Sequence, residues 1–406
     1  MICGLLGEHL THSYSPQIHR ELADYPYTLF EMPVEEVAPF LASNRFDAIN
    51  VTIPYKKTVM PYLEEISDEA MRIGSVNTLT RTKNGGLRGD NTDYFGFSYM
   101  LDKSGIDVCG KKVLILGSGG AQETSRTVCT DRGASVIVVS RRGENNYDHL
   151  DKHRDAAVII NTTPVGMYPN NGSAPLSLAE FPHLSGVLDM IYNPEKTKLL
   201  LDAERLGIPH LGGLSMLVAQ AKLAAEIFTG QKIDNAEIDR IVKSITREMN
   251  NIVLVGMAGC GKTTVGAALS ALTGRELIDT EAMVRETTGR TPAEIITADG
   301  EEAFRRIETA CVAEAGKKSG KIIATGGGVP TRPENRDLLR QNARIVFLRR
   351  DIAALDTSDR PLSQATGAEA LYQKRLPLYR AIADLTVDNN DTPEAVAGRI
   401  LDLLNT

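Results

Sequence analysis

The chain has 406 residues, which is too long for one ordinary hydrophobic core and predicts two or three domains. Apolar residues make up 42% and charged residues 24% of the chain, as is typical of soluble globular proteins. The net charge of −7 argues against a general nucleic-acid binder, because such proteins concentrate positive charge.

The cysteines and the apolar segments indicate the cellular setting. Five cysteines are scattered with no C-x-x-C motif, which predicts reduced thiols in a cytoplasmic protein rather than disulfides. Residues 1–7 lack a basic lead and a long apolar run, so they are expected to form a strand rather than a signal peptide. No stretch is apolar enough to predict a membrane span. We therefore expect small-molecule partners and neither a membrane nor a nucleic acid; the sequence leaves the oligomeric state open.

Strands alternate with helices along the first part of the chain. Over residues 1–100 this alternation predicts an α/β unit. A second succession of buried strands follows, which is typical of a doubly wound sheet. The predicted elements after residue 100 are strands at 112–117, 135–140, 158–161 and 187–189, and long helices at 214–229 and 235–248.

A glycine-rich turn after the strand at 112–117 predicts a dinucleotide site. In that turn, Gly117 permits a tight bend and Gly119 lets the backbone approach a pyrophosphate. The next strand ends in Ser-Arg-Arg at 140–142, where an NAD site places an acidic residue for the ribose hydroxyls. Guanidinium groups there suit a 2′-phosphate, so NADP(H) is favoured. The alternative is that the two arginines only solvate the strand end.

Five motifs together identify a family, although the three polar clusters among them could each be explained alone as a helix cap, a turn or a surface lysine. They are S-x-S-P at 13–16, N-V-T-x-P-x-K at 50–56, V-N-T at 76–78, G-D-N-T-D at 89–93 and M-L-V-A-Q at 216–220. In this order they closely resemble the shikimate dehydrogenase family over about residues 2–245. The resemblance implies a substrate-binding domain at 1–100 with a return helix at 214–248, and a Rossmann domain at 101–213 that binds NADP(H).

By this resemblance, the residue roles of the family apply to the matching positions of the chain. Lys56 and Asp93 would form the acid/base pair, since an ammonium can polarise a ketone and deliver a proton as hydride arrives. Ser13 and Ser15 would bind the substrate carboxylate. Ring hydroxyls would be bound by Thr52, Asn77, Asp93 and Gln220, with Tyr192 lining the cleft. The cofactor would contact Gly117, Ser118, Gly119, Gly120, Ala121, Ser140, Arg141, Arg142, Met190 and Gly213.

A phosphate-binding loop predicts a second catalytic unit in the same chain. Residues 256–263 fit G-x-x-x-x-G-K-[ST] and stand between a predicted strand at 252–255 and a predicted helix at 264–272. Backbone N–H groups of such a loop hold phosphates, Lys262 would neutralise them, and the Thr263 hydroxyl would hold Mg²⁺. Alone, the loop predicts a nucleoside triphosphate site and leaves the acceptor open.

Further residues of the C-terminal part narrow the acceptor. Two carboxylates stand two residues apart at a predicted strand end, three glycines follow a later strand, and three arginines lie on predicted helices or loops. Each arginine alone would be explained as a solvated helix face. Together with the phosphate loop they closely resemble shikimate kinase over about residues 250–406. These residues are Asp279, Glu281, Arg305, Gly326, Gly327, Gly328, Arg360 and Arg375.

The kinase resemblance implies a role for each matching residue. Lys262 would stabilise the transferred phosphoryl group, and Asp279 would lie near Mg²⁺ and the accepting hydroxyl. Glu281 stands where the family usually has Asp. The acceptor would contact Glu281, Arg305, Gly327 and Arg375. ATP would contact Gly259, Cys260, Gly261, Lys262, Thr263, Thr264 and Arg360, the last of these in a lid.

The two resemblances imply an α/β protein that catalyses consecutive steps of the shikimate pathway. One unit would reduce 3-dehydroshikimate to shikimate with NADPH, and the other, at 250–406, would phosphorylate shikimate with MgATP. One alternative is a quinate/shikimate dehydrogenase joined to another small-molecule kinase, against which the arginines at 141–142 argue. The other is a regulatory ligand sensor built on these folds. The presence of all four predicted catalytic residues argues against a sensor.

Overall fold

The computed structural model describes residues 1–10, 13–355 and 367–405. The chain divides into two compact units. Unit 1 comprises residues 1–167, 173–192 and 199–244. Unit 2 comprises residues 168–172, 193–198 and 245–406. Among the described residues, no helix is both long enough and apolar enough to cross a membrane.

The first part of unit 1 is a mixed six-stranded sheet with flanking helices. Its central strands are short apolar runs, so they are buried on both faces, as a covered sheet requires. The elements are β1 (Cys3–Gly7), α1 (Ser15–Leu22), β2 (Tyr27–Glu31), α2 (Val34–Ala42), β3 (Ala48–Val51), β4 (Glu65–Ile66), α3 (Asp68–Ile73), β5 (Thr78–Arg81), β6 (Leu87–Asp90) and α4 (Asp93–Ser104). The strand order is β2-β1-β3-β5-β6-β4, with β5 antiparallel to both of its neighbours.

The second part of unit 1 is a five-stranded parallel sheet, which confirms the doubly wound fold. The strand order β11-β10-β9-β7-β8 reverses between β7 and β9, and ligands of such sheets bind at the crevice where the order reverses. The elements are β7 (Lys112–Leu116), α5 (Gly120–Asp131), β8 (Ser135–Val139), β9 (Val158–Asn161), β10 (Gly186–Asp189), α6 (Lys198–Arg205), β11 (His210–Gly212), α7 (Leu214–Thr229) and α8 (Ala236–Met249).

Unit 2 is built on a second five-stranded parallel sheet, in the order β13-β14-β12-β15-β16. Its central strand, β12, is buried along its whole length. The elements are β12 (Asn251–Val255), α9 (Lys262–Thr273), β13 (Leu277–Asp279), α10 (Thr280–Thr288), α11 (Pro292–Asp299), α12 (Glu301–Gly316), β14 (Ile322–Ala324), α13 (Pro333–Arg340), β15 (Ala343–Arg349), α14 (Ala368–Ile382), β16 (Leu385–Asp388) and α15 (Pro393–Asn405). Short 3₁₀ helices lie at Met60–Tyr62, Tyr147–His153, Leu178–Glu180, Val329–Thr331 and Ile352–Ala354.

Unit 2 also contains two short segments from earlier in the chain, 168–172 and 193–198. Within unit 2, the Tyr168 hydroxyl donates to the Gly316 carbonyl at 2.8 Å. The backbone N–H of Lys196 donates to the carbonyl of Gln341 at 2.9 Å. A cut at the predicted boundary near residue 249 would therefore separate these two segments from part of the unit in which they pack.

We expect two fragments, one that ends near Glu248 and one that begins near Asn250, to fold separately and to keep one activity each. Each fragment is long enough to bury its own core. The first fragment should melt at a lower temperature than the corresponding transition of the full chain, because residues 168–172 and 193–198 lose their partners. Calorimetry of both fragments and of the full chain measures this difference. A soluble, folded fragment without activity would contradict the prediction of two autonomous enzymes.

Candidate active sites

A cavity of about 450 Å³ in unit 1 collects the predicted substrate residues. All seven of them line it, together with the predicted catalytic Lys56 and three of the predicted cofactor residues. The other lining residues have no predicted role. They are mainly apolar, and they include His9 and Asn50. The predicted residues that line the cavity are Ser13, Ser15, Thr52, Lys56, Asn77, Asp93, Ala121, Met190, Tyr192, Gly213 and Gln220.

Lys56 and Asp93 form an ion pair inside this cavity. The Lys56 ammonium lies 2.6 Å from a carboxylate oxygen of Asp93, and the two side chains are 22% and 10% exposed. The backbone around Lys56 is fixed on both sides. The buried Tyr55 hydroxyl donates to the Met32 carbonyl at 2.7 Å, and the Lys56 carbonyl accepts from Val76 N–H at 2.9 Å. The ammonium is therefore held at the cavity wall by a rigid turn.

Asp93 is positioned by the residue two places before it. The buried side chain of Asn91 accepts hydrogen bonds from the N–H groups of Asp93 at 3.0 Å and Tyr94 at 3.3 Å. Its amide nitrogen donates to the Ser75 carbonyl at 2.8 Å. These bonds satisfy N–H groups at the start of α4, which would otherwise lack partners. The G-D-N-T-D motif thus fixes the first residue of a helix, and that residue is the predicted catalytic carboxylate.

A hydrogen-bond network orders the polar wall beside the ion pair. Asn77, which is buried, accepts from Thr92 N–H at 2.8 Å and donates to the Thr92 hydroxyl at 3.0 Å. The Thr92 hydroxyl lies 3.3 Å from the side-chain oxygen of Gln220, on α7. Gln220 in turn donates to the Leu217 carbonyl at 2.8 Å. Asn77 and Gln220 therefore hold fixed orientations, as residues that recognise ring hydroxyls must.

Ser13, Ser15 and Tyr192 also line the cavity. The Ser13 hydroxyl accepts from Ser15 N–H at 3.2 Å, which brings the two side chains together at the start of α1. Between them, Tyr14 packs edge-on against Tyr192, with ring centroids 5.7 Å apart. Burial raises the pKa of Tyr192, so its hydroxyl stays protonated. The hydroxyl groups of the two serines and Tyr192 are hydrogen-bond donors that suit a carboxylate.

The crevice after β7 has the geometry of a dinucleotide site. Gly117 has φ of +122°, and a Cβ there would lie 2.4 Å from the Thr162 hydroxyl, so only glycine fits. No neighbouring atom lies within 4 Å of where a Cβ on Gly119 would stand, so the backbone is open to a ligand. At Gly213, a Cβ would lie 2.1 Å from the Met190 carbonyl oxygen. The close approach of these two predicted cofactor residues therefore requires glycine at position 213.

A second cavity of unit 1, of about 510 Å³, is lined by Ser118, Ser140, Arg141 and Arg142. It joins the glycine turn to the end of β8, where a ribose phosphate is expected. Both arginines are exposed. Exposed guanidinium groups at this strand end fit the 2′-phosphate of NADP(H), whereas the hydroxyls of NAD would call for a carboxylate.

The phosphate loop of unit 2 follows β12 and leads directly into α9. The helix begins at Lys262, two residues earlier than the sequence predicts, and Gly261 before it has φ of +93°. The Lys262 ammonium folds back over the loop and donates to the carbonyls of Gly256 at 3.1 Å and Met257 at 2.8 Å. Cys260 is buried, and its carbonyl accepts from Asn389. The Lys262 side chain is thus hydrogen-bonded to the backbone of its own loop.

Thr263 and Asp279 form the predicted metal side of this loop. The Thr263 hydroxyl donates to one carboxylate oxygen of Asp279 at 2.6 Å. The other oxygen accepts from the N–H groups of Glu281 at 2.8 Å and Ala282 at 3.2 Å, and so caps α10. One hydroxyl and one carboxylate fit Mg²⁺, which takes few protein ligands and otherwise keeps waters and nucleotide phosphates.

The three consecutive glycines after β14 let neighbouring groups approach the backbone. A Cβ on Gly327 would lie 2.7 Å from the backbone nitrogen of Ala258 in the phosphate loop, and one on Gly328 would lie 2.2 Å from the Arg305 guanidinium. The Gly327 carbonyl accepts from the buried Tyr379 hydroxyl at 2.5 Å. The turn thus brings the phosphate loop, Arg305 and α14 together.

Arg305 and Arg375 are both buried, so neither is the solvated helix-face arginine that was the alternative. Arg305 donates to Glu308 at 2.6 Å and to Glu301 at 3.0 Å. Burial alone would lower the pKa of Arg305, but attraction to Glu308 raises it, so the guanidinium stays charged. The positive charge of Arg375 acts to lower the pKa of Tyr379, against the larger effect of burial, which raises it. Glu308 was not among the residues predicted from the sequence, although its spacing of three residues from Arg305 on a helix was a usable signal.

The remaining predicted nucleotide residues have different outcomes. Gly259, Cys260 and Gly261 lie in the loop, and Thr264 is exposed on the first turn of α9. Arg360, the predicted lid residue, lies outside the described residues.

Comparison with known proteins matches both parts of the chain. Residues 5–79 match the family model described as the shikimate dehydrogenase substrate binding domain, and residues 258–405 match the model described as shikimate kinase. The shikimate dehydrogenase (NADP(+)) of Clostridium perfringens is 36% identical over 264 residues, which cover 60% of this chain and 97% of the relative. That of Clostridium beijerinckii is 37% identical, over 57% of this chain and 93% of its own length.

Solved structures show the same similarity. Shikimate dehydrogenase 1 from Peptoclostridium difficile is 38% identical with a TM-score of 0.56, over 60% of this chain and 97% of that one. Shikimate 5-dehydrogenase from Thermus thermophilus, in complex with NADP(H) and shikimate, is 29% identical with a TM-score of 0.55, over 60% and 99% of the two chains.

Thr263→Ala should raise the Mg²⁺ concentration needed for half-maximal phosphoryl transfer by about tenfold or more, the usual cost of weakening a metal site. The variant removes the hydroxyl that contacts Asp279. Thr263→Ser keeps that hydroxyl and is the matched control, with an expected change of less than about twofold. Activity is measured over a Mg²⁺ titration at saturating ATP. An unchanged Mg²⁺ dependence in Thr263→Ala would exclude this residue from the metal site.

Proposed function

Because the chain belongs to the shikimate dehydrogenase family and carries a shikimate kinase domain, we propose that it catalyses two consecutive reactions of the shikimate pathway. Unit 1 reduces 3-dehydroshikimate to shikimate with NADPH, and unit 2 phosphorylates shikimate at the expense of MgATP. The product of the first reaction is the acceptor of the second. The ion pair of Lys56 and Asp93, inside a cavity lined by all seven predicted substrate residues of unit 1, is the observation that carries this proposal.

In the reduction, NADPH bound in the crevice after β7 would supply a hydride to the carbonyl carbon of 3-dehydroshikimate. The carbonyl oxygen then gains negative charge and needs a proton. The Lys56 ammonium donates that proton, and its charge stabilises the developing alkoxide. Asp93 holds the ammonium at 2.6 Å and orients it toward the cavity. The lysine regains a proton from solvent before the next turnover.

The polar walls of the cavity place the carbonyl beside Lys56. Ser13 and Ser15 bind the carboxylate at one end of the ring. Thr52, Asn77 and Gln220 bind hydroxyls along the ring. Holding both ends of a small ring fixes which carbonyl faces the ammonium, and fixed orientation supplies much of the rate enhancement of such reactions.

In the phosphoryl transfer, unit 2 contributes charge and alignment. Bound MgATP supplies the phosphoryl group. Thr263 and Asp279 hold the metal side, and the Lys262 ammonium neutralises the transferring phosphoryl oxygens. Arg305 and Arg375 bind the shikimate carboxylate, with the backbone of Gly327 beside the ring. Asp279 would accept hydrogen bonds from the water ligands of the metal and from the accepting hydroxyl.

The setting that follows from these substrates is cytoplasmic, because NADPH, ATP and five free cysteines belong to a reducing compartment. The partners are the small molecules named above. The alternative is a quinate dehydrogenase joined to another kinase. Arg141 and Arg142, which line the cavity beside the glycine turn with Ser118 and Ser140, argue against it because they favour NADP(H).

The direct test is a product analysis with the pure full-length protein. It is incubated with 3-dehydroshikimate, NADPH and MgATP, and each component is omitted in turn. Shikimate 3-phosphate should form only in the complete mixture, and shikimate should accumulate when ATP is left out. No consumption of 3-dehydroshikimate with NADPH would refute the first reaction, and no phosphorylation of added shikimate would refute the second.

Lys56→Ala should slow the reduction of 3-dehydroshikimate by about a hundredfold or more, because a positioned acid is lost. Phosphorylation of added shikimate should be unchanged. Lys262→Ala is the reciprocal control: it should abolish phosphorylation and leave the reduction intact. Initial rates of both reactions are measured for both variants. Near-normal reduction by Lys56→Ala would remove this lysine from the mechanism.

The double variant Arg141→Ala, Arg142→Ala should raise the KM for NADPH by about tenfold or more, since charge-assisted hydrogen bonds to a phosphate are lost. The KM for NADH should change much less, because NADH lacks the 2′-phosphate. The two cofactors are compared at saturating 3-dehydroshikimate. Equal effects on both would show that the arginines only solvate the strand end.

A further inference from the structure

A buried tyrosine connects the helix that carries Arg375 to the glycine turn after β14. Tyr379 lies on α14, four residues after Arg375, so the two residues are neighbours on one side of the helix. Its side chain is fully buried, and its hydroxyl donates to the Gly327 carbonyl at 2.5 Å. The helix of one predicted acceptor-binding residue is therefore hydrogen-bonded to the turn of another.

The Tyr379 hydroxyl has one proton, and Gly327 is its principal acceptor. The sulfur of Met257 lies 3.6 Å from the same oxygen, but a thioether is a weak acceptor. Burial raises the pKa of Tyr379 well above its ordinary value, and the positive charge of Arg375 only partly opposes this effect. The hydroxyl therefore stays protonated and remains a donor to the Gly327 carbonyl.

The packing around Tyr379 makes the position of this hydroxyl rigid. Its ring stacks on Phe347 of β15, with centroids 5.1 Å apart and planes 19° apart. Both rings belong to the main hydrophobic core of unit 2. The hydroxyl cannot move away from the glycine turn unless this core is repacked, and close-packed cores resist such changes.

The hydrogen bond fixes the orientation of the peptide between Gly327 and Gly328. A trans peptide is planar, so its N–H points opposite to its carbonyl. With the Gly327 carbonyl directed at Tyr379, the Gly328 N–H is turned away from that side chain. Gly328 is buried, yet none of the described residues accepts a hydrogen bond from its N–H. A buried N–H group without a partner in the protein is a donor that a ligand can use.

This donor lies beside a predicted carboxylate-binding arginine. A Cβ on Gly328 would lie 2.2 Å from two guanidinium nitrogens of Arg305, so the Gly328 backbone and the guanidinium are in direct contact. Arg305 is already paired with Glu308 at 2.6 Å. An acceptor carboxylate at this place gains from a further donor, and the Gly328 N–H is the adjacent one.

The phosphate loop is held mainly by other contacts. The backbone of Gly327 packs against Ala258, where an added Cβ would lie 2.7 Å from the Ala258 nitrogen. Lys262 donates to the carbonyls of Gly256 and Met257 in the same loop. These contacts do not use the Tyr379 hydroxyl, so its loss acts on the acceptor side rather than on the ATP side.

We propose that Tyr379 is a positioning residue for the acceptor of unit 2, acting through the peptide between Gly327 and Gly328. Without the hydroxyl, the buried Gly327 carbonyl lacks its donor and the peptide is free to turn toward another one. The Gly328 N–H is then no longer aimed at the acceptor, and acceptor binding weakens while ATP binding is kept. The inference rests on the proposed phosphorylation of shikimate.

Tyr379→Phe removes only the hydroxyl and tests the proposal. Loss of one aimed hydrogen bond should raise the KM for shikimate by about three- to tenfold. The KM for ATP and the rate of 3-dehydroshikimate reduction should stay within about twofold of the unaltered protein. Initial rates of both reactions are measured over titrations of shikimate and of ATP.

Tyr168→Phe is the matched control. The Tyr168 hydroxyl also donates to a glycine carbonyl of unit 2, that of Gly316 at 2.8 Å, but at the opposite end of α12 from Arg305. Both variants should lower the melting temperature of unit 2, because each leaves a carbonyl without its donor. Only Tyr379→Phe should raise the KM for shikimate. Equal KM increases in the two variants would overturn the proposal, and so would a lower melting temperature of Tyr379→Phe with an unchanged KM.

Hydrogen exchange at Gly328 gives a second test that needs no variant. In the full-length protein labelled with ¹⁵N-glycine, saturating shikimate should slow exchange of the Gly328 N–H by about tenfold or more, since the group gains an acceptor. ATP alone should not slow it. If Tyr379→Phe does not fold, this measurement decides, and unchanged exchange at Gly328 with shikimate would overturn the proposal.

Failure of the inference is distinguishable from failure of the proposed function. A full-length protein that does not phosphorylate added shikimate with MgATP would refute the second reaction, and the inference with it. A protein that phosphorylates shikimate normally, and whose KM for shikimate is unchanged by Tyr379→Phe, would refute the inference alone.

Discussion

The contact of 2.6 Å between Lys56 and Asp93 is the interaction on which unit 1 depends. Two charges in a partly desolvated cavity are stable only as a pair, since removing one partner leaves the other uncompensated. The pair is 37 residues apart in sequence, and each partner needs its own support. Val76 holds the backbone of Lys56, and Asn91 caps the helix that begins with Asp93. Several polar motifs of the sequence are thus explained as supports for one ion pair.

Charge balance also governs unit 2. Arg305 is buried against Glu308, so most of its charge is already compensated within the protein. Glu301, its other partner, is half-exposed and screened by solvent. An anionic acceptor at this place therefore needs positive charge beyond Arg305. Arg375, which is also buried, supplies it. Two arginines are required because one of them is occupied by a structural carboxylate.

Much of this arrangement could be predicted from the sequence, because it depends on local patterns. The helix at 214–229 has the bounds that the sequence predicts, since glycines flank it at both ends. The strand predicted at 112–117 ends one residue earlier, where Gly117 takes a positive φ. Tyr27, whose hydroxyl donates to the cavity-lining Asn50 at 2.8 Å, could not be found in this way. Its contact with Asn50 depends on the pairing of β1 with both β2 and β3, and no spacing within the sequence encodes that pairing.

Glu281 stands where the kinase family usually has Asp, and the contacts around it show where the longer side chain places its carboxylate. Asp279 directs one oxygen at Thr263 and caps α10 with the other, so it occupies the predicted metal position without help from Glu281. The Glu281 carboxylate extends instead toward the glycine turn: a Cβ on Gly326 would lie 3.5 Å from one of its oxygens and 2.3 Å from an oxygen of Glu308. Repulsion by Glu281 is one of the causes that raise the pKa of Glu308, after burial. The longer side chain therefore places its charge with the arginine cluster, where Arg305 and Arg375 can compensate it, and leaves the metal side to Asp279.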